Sequence, residues 1–211
     1  MNTSKLNVNI EPMIKGIIKV REFGIKKYDR DNWKTLTDPI DLYNLTNAME
    51  RHWLKHLSGE INDNESGLNH LFHMATNIAF LIDNDQINNI DKCFSAYLTL
   101  GHIVSLNQSK IDFSEFTDQS TKQTKNKLDI GLIPPGILCI LPIIDQYYNK
   151  EIICANISDI IIYISRYIYD YKQRIIYMFN NVTITPMYLL AYVITNYISL
   201  LSIEENNNEN N

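Results

Sequence analysis

The chain has 211 residues, 45% of them apolar, and a formal charge of −5 from 19 Lys and Arg against 24 Asp and Glu. That is enough chain for one fair-sized domain or two small ones, and too apolar for disorder throughout. The mildly acidic balance argues against a general nucleic-acid binder. Seven glycines leave little for a glycine-rich phosphate loop, and Cys93, Cys139 and Cys154 form no C-x-x-C pair, so a disulfide framework or structural zinc is not expected.

The composition holds 33 Ile and 25 Asn. Both have AT-rich codons, so Ile stands where helix propensity alone would favour Leu, and strand assignments from Ile content lose weight. Residues 1–5 lack the apolar stretch of a secretory signal.

In chain order, residues 13–27 are helix-compatible, and 29–32 form a polar break. Asp38-Pro39 starts a helix in which Leu42, Leu45, Ala48, Met49 and Trp53 recur at helical spacing, until Ser58-Gly59 stops it after Leu57. An acidic loop over 60–67 leads into a helix from about 66 to 82, and a third follows from 90 to 106. Residues 108–126 are polar and read as a linker; beyond Pro134-Pro135, helices are expected over 158–179 and 186–203. Residues 182–203 carry no charge, but Thr183, Thr185, Pro186, Thr195, Asn196 and Ser199 interrupt them, so they read as a buried bundle helix or subunit interface rather than a membrane span. An internal repeat aligns Lys5 to Pro12 with Lys127 to Pro134 on the pattern K-L-[ND]-[VI]-x-[IL]-x-P, and Thr76-Asn77 with Thr195-Asn196. The expected organisation is a catalytic helical domain (1–106), a linker (107–126), a degenerate helical repeat (127–203) and a disordered tail (204–211).

The chemistry concentrates in residues 50–77, which hold four of the five histidines; the fifth is His102. Glu50, Arg51, His52 and His56 lie on the first long helix, Glu60, Asp63 and Glu65 in the loop, and His70, His73 and Asn77 on the next helix. On a helical wheel His70, His73 and Asn77 fall at about 0°, 300° and 340° and share one stripe. Asn44, Asn47 and Arg51 share a face of the preceding helix, with His52 and His56 pointing the other way. Three carboxylates within six residues repel one another unless a cation neutralises them, which suits a hard divalent ion and a polyphosphate. Arg51, Lys26 and Lys27 could balance phosphate charge, and Tyr28 or Trp33 could stack on a base.

These residues also form motifs. Phe23 to Tyr28 followed by Asp31-Asn32-Trp33 resembles the G-x-K-K-Y…x-N-W signature of phage-type dATP/dGTP diphosphohydrolases. Ala48 to His52 resembles that family's D-A-x-x-R-H run, Gly59 to Asn77 its G-E…D-x-E-S-G-x-x-H-x-x-H…N, and Lys127 to Pro135 its K-x-D…L-x-P-P start. The resemblance implies an all-α, MazG-like helical bundle, oligomeric and cytoplasmic (host cytoplasm if viral). It implies hydrolysis of a (deoxy)nucleoside triphosphate, with dATP or dGTP favoured, to monophosphate and pyrophosphate with Mg²⁺ or Mn²⁺. By that resemblance Glu60, Asp63 and Glu65 hold metal or activate water, Arg51, His52 and Lys27 contact phosphate, and Tyr28, Asn32, Trp33, His70, His73 and Asn77 bind substrate or shape its pocket. Asn47 stands where the family has Asp, and the second repeat lacks the reactive side chains. The alternative is therefore an inactive nucleotide-binding or scaffold protein derived from such an enzyme. Neither nucleic acid nor membrane is an expected partner.

Overall fold

Helix boundaries follow from local chemistry. Asp38 accepts the backbone N–H groups of Ile40 and Asp41 at 2.8 Å each, Pro39 occupies the first turn, and the helix runs from there to Leu57. Asn69 caps the next helix through Leu71 N–H at 2.8 Å. In the computed structural model, residues 10–87, 116–117, 128–134, 136–137, 157–175, 177–179 and 182–209 are described.

Among them are five α-helices: α1 (Glu11–Gly24), α2 (Pro39–Leu57), α3 (His70–Ile87), α4 (Ile157–Lys172) and α5 (Pro186–Glu209). Two short 3-10 helices, Asn32–Thr35 and Ile130–Leu132, accompany them. Strand content is limited to a parallel pair, β1 (Phe116–Thr117) with β2 (Leu128–Asp129), and an antiparallel pair, β3 (Tyr177–Phe179) with β4 (Val182–Ile184). The architecture is thus the helical one expected from the sequence.

α3 and α5 lie at the centre and pack on each other; α2 packs on α3, α4 on α5, and α1 on both central helices. Met74, Ile78 and Leu81 of α3 and Leu190, Val193 and Ile194 of α5 are almost fully buried. α1 approaches α3 so closely at Gly16 that a methyl there would overlap the Phe72 ring. Polar ties cross the bundle: Trp53 Nε1 donates to Ser165 Oγ at 3.0 Å, His56 Nε2 meets the Tyr197 hydroxyl at 3.0 Å, and Lys172 pairs with Glu50 at 2.6 Å. β2 and the segment after it dock on the N-terminal part of the chain, with Arg30 Nη2 on Asp129 Oδ2 at 2.7 Å and Gly136 N–H donating to Asp83 of α3.

The differences from the sequence reading have local causes. α3 begins at His70 rather than 66, because 62–69 fold into a tight loop closed by a bridge between Asn62 and Asn69. α4 stops at Lys172 rather than 179, because Arg174 turns left-handed (φ 56°) and β3 follows. α5 continues through most of the segment expected as a tail. The helix expected over 90–106 and most of the 107–126 linker lie outside the described residues. Among the described residues no helix is long and apolar enough to cross a membrane.

Candidate metal centre

The end of α2 and the start of α3 are held together by the turn over residues 58–69. Gly59 (φ 88°) reverses the chain: its N–H reaches His56 O at 3.0 Å, and Glu60 N–H reaches Lys55 O at 3.1 Å, closing the helix end. Asp63 then organises the loop. Its Oδ1 accepts Glu65 N–H at 3.2 Å, Ser66 N–H at 3.0 Å and Ser66 Oγ at 3.1 Å, while its backbone N–H bonds Leu68 O at 2.8 Å. Gly67 (φ 69°) permits the return.

This turn places three imidazoles together. His52 on α2 and His70 on α3 meet Nδ1 to Nδ1 at 2.8 Å, and the His52 ring stacks on His73 with centroids 4.7 Å apart. His73 Nε2 lies 2.7 Å from Ser66 Oγ, which links it to Asp63. His52, His70 and Asp63 each present a ligand atom within 4.8 Å of the others'. They are the one such histidine–carboxylate group among the described residues.

Electrostatics favour ligation. Burial, reinforced by His73, Arg51 and His70, lowers His52 to about 4, so its imidazole is neutral near pH 7 and free of proton competition. Burial likewise lowers His73. Burial pushes Asp63 up, but hydrogen bonds from Ser66 and the nearby His73 outweigh it, and the net direction is down. The donor set fits a divalent ion: two imidazoles and one carboxylate. Imidazole nitrogen suits Mn²⁺ or another first-row ion better than Mg²⁺, which prefers oxygen alone.

The other expected residues are placed as follows. Glu60 pairs with Lys55 at 2.7 Å, which holds its carboxyl below the usual range, and its second oxygen lies 3.4 Å from His70 Nε2. Glu65 forms an ion pair with Lys27, so the three carboxylates do not converge on one point. Arg51 is exposed beside the trio. Tyr28 is 62% exposed next to Lys27 in sequence. Trp33 is buried and stacks on Phe80 at 5.8 Å. Phe80 lies ten residues, about 15 Å, along α3 from His70, so Trp33 packs well away from the trio. Asn77 is half-buried, about 10 Å along α3 from His70. His56 faces the core, with Nδ1 buried and unpaired. Asn47 lines a groove facing α4 and α5, away from the trio.

Lys55 and Ser66 were not singled out from the sequence as site residues. Ser66 had a signal, since it sits inside the E-S-G motif; Lys55 had none beyond its closeness to Glu60.

Residues 8–93 match the family described as dATP/dGTP diphosphohydrolase, N-terminal. That is the family the motifs resemble, and the match covers the trio and all of the loop. No curated protein and no solved structure matches the chain.

Proposed function

We propose that the chain is a metal-dependent pyrophosphohydrolase that cleaves a (deoxy)nucleoside triphosphate, dATP or dGTP, to the monophosphate and pyrophosphate. The observation that carries this reading is the gathering of His52, His70 and Asp63 at the α2–α3 turn, inside the segment that matches the diphosphohydrolase family.

His52, His70 and Asp63 would hold the ion. When bound, such an ion neutralises phosphate charge and acidifies a water ligand. Glu60, against His70 Nε2, orients that ring as a carboxylate behind a metal-bound histidine does. Ser66 and His73 fix the Asp63 carboxylate, leaving its second oxygen for ligation. Arg51, Lys27 and Lys55 surround the turn with positive charge for the triphosphate. Water attacks the α-phosphorus, the new P–O bond forms as the bond to the bridging oxygen breaks, and pyrophosphate departs; Glu60 or Glu65 takes the proton. The second half, helical and without this chemistry, serves as a structural repeat. Homo-oligomerisation belongs to the same reading and is supported by the exposed Leu54, Leu57, Ile162 and Tyr169.

The test is pyrophosphate release from each dNTP with Mn²⁺ or Mg²⁺. Asp63→Asn and His52→Ala should each lower turnover by about 100-fold or more, beyond what loss of an outer contact does. Wild-type rates in both variants would refute the assignment. Absence of turnover with every dNTP and metal would favour the inactive scaffold, which Asn47 first suggested.

A further inference from the structure

A groove of about 590 Å³ runs between the first half of α2 and the corner where α4 gives way to β3, β4 and α5. That volume lies within the range of small-molecule sites. Tyr43 and Asn47 line it from α2, and Tyr171, Lys172, Arg174 and Thr185 from the corner. It shares no residue with the histidine–aspartate trio.

Two features of this corner are costly in the free protein. The first is Arg174. The end of α4 closes by the same pattern as the end of α2: Arg174 N–H reaches Tyr171 O at 3.0 Å, and Ile175 N–H reaches Asp170 O at 2.9 Å. In α2 the left-handed position of that pattern is Gly59, as expected; in α4 it is Arg174, the one non-glycine residue with positive φ among those described. Glycine would relieve the backbone, yet the position carries a guanidinium that has no hydrogen-bond or ion-pair partner among the described residues. Lys172, by contrast, is held by Glu50 at 2.6 Å. The second feature is Thr185, whose Oγ1 is buried without a hydrogen-bond partner. The β3–β4 register, with Tyr177 opposite Ile184, brings the stretches just outside the hairpin, containing Arg174 and Thr185, to the same end. On the facing wall Tyr43 stands 66% exposed.

An unpaired guanidinium and an unpaired hydroxyl at one end of a groove call for a group with several acceptor oxygens. An exposed ring on the other wall calls for a flat partner, and the Asn47 amide beside it offers both donor and acceptor. We infer that this groove is a second binding site, for a mononucleotide, with phosphate on Arg174 and Thr185 and the base on Tyr43 beside Asn47. Strain and an orphaned polar atom persist together where binding offsets one and satisfies the other.

The test is calorimetric titration of the full chain in EDTA, which silences any metal-dependent site, with dAMP, deoxyadenosine and inorganic phosphate. dAMP should bind, and deoxyadenosine and phosphate should each bind at least tenfold more weakly. Arg174→Gly and Thr185→Val should each weaken dAMP at least tenfold while leaving the Tm unchanged or raising it, since each removes a cost from the free protein. The second variant keeps the test decisive should the first fold poorly. Wild-type affinity in both variants, or no dAMP binding at millimolar concentration, overturns the site. Phosphate binding as tightly as dAMP overturns the mononucleotide as its ligand. Pyrophosphate release is scored separately, so either reading can fail without the other.

Discussion

Asp83 offers the sharpest test of the packing around α3. It is 6% exposed and accepts the Gly136 N–H, and burial pushes its carboxyl up to about 7 from the ordinary 3.8, against the opposing pull of that hydrogen bond and of Lys34. A carboxyl with a folded-state pKa above its unfolded value binds its proton more tightly when folded. Its contribution to stability is therefore complete below pH 3.8 and is lost as the pH rises through 7. Roughly three units at 1.36 kcal/mol each put the whole span at about 4 kcal/mol, of which about 2.5 kcal/mol falls between pH 5 and pH 8. That is a large share of a total of about 5–15 kcal/mol. Asp83→Asn keeps the acceptor for Gly136 but removes the titration. Urea unfolding of both proteins across this pH range should show the wild type losing about 2.5 kcal/mol relative to the variant. His52, whose pKa is lowered, titrates in both proteins alike, so the difference isolates Asp83. Parallel stability curves, within about 0.5 kcal/mol, would refute a buried, protonated Asp83 and with it the docking of Gly136 on α3.

Three further outcomes are expected. Gly16→Ala, ordinarily favourable in a helix, should destabilise by about 1–3 kcal/mol because the methyl meets the Phe72 ring; denaturant midpoints measure it, and Phe72→Leu should recover part of the loss. Arg30→Ala leaves the 4% exposed Asp129 without its cation and should cost about 1–3 kcal/mol, less when Asp129→Asn is also present, so a double-mutant cycle should show positive coupling. Mn²⁺ at about 100 times its dissociation constant should raise the unfolding free energy by about 2.7 kcal/mol in the wild type and not in His52→Ala, with Mg²⁺ at equal concentration giving a smaller shift; equal responses to both ions would argue against imidazole ligation.

α2 was legible to the residue because its ends are set by local chemistry: Asp38 and Pro39 at one, Ser58 and Gly59 at the other. The β3–β4 pair was not. Tyr177 to Phe179 and Val182 to Ile184 are mostly β-branched or aromatic runs separated by Asn180-Asn181, a fair turn signal, but an Ile-rich, Asn-rich background gives such runs everywhere. The helical pattern of α4 extends through Tyr177 to Phe179 in the sequence, and the stop at Arg174 could not be foreseen, because arginine is a poor marker for a left-handed helix end.

The candidate site shows a subtler limit. Four histidines in one window point to the α2–α3 turn, where the trio gathers, whereas the charge argument puts the cation on Glu60, Asp63 and Glu65. Repulsion among three carboxylates needs a counter-charge, and for two of them the fold supplies it from lysine. Lys27 reaches Glu65 across 38 positions, a distance no local reading spans, and Lys55 reaches Glu60 over the turn. Of the three, Asp63 is the one grouped with His52 and His70. The helical wheel, meanwhile, places His52 among Leu45, Ala48 and Met49, on the apolar face of α2 and so away from the polar stripe of Arg51. That face is the one α2 packs against α3, and burial among apolar neighbours is what carried His52 to His70 and lowered its pKa. A polar stripe seeks solvent, so Arg51 ended outside; a histidine on the packing face is the one delivered to an interhelical centre. For two helices joined by a short turn, the side chains to weigh as ligands are therefore the polar ones among the apolar positions.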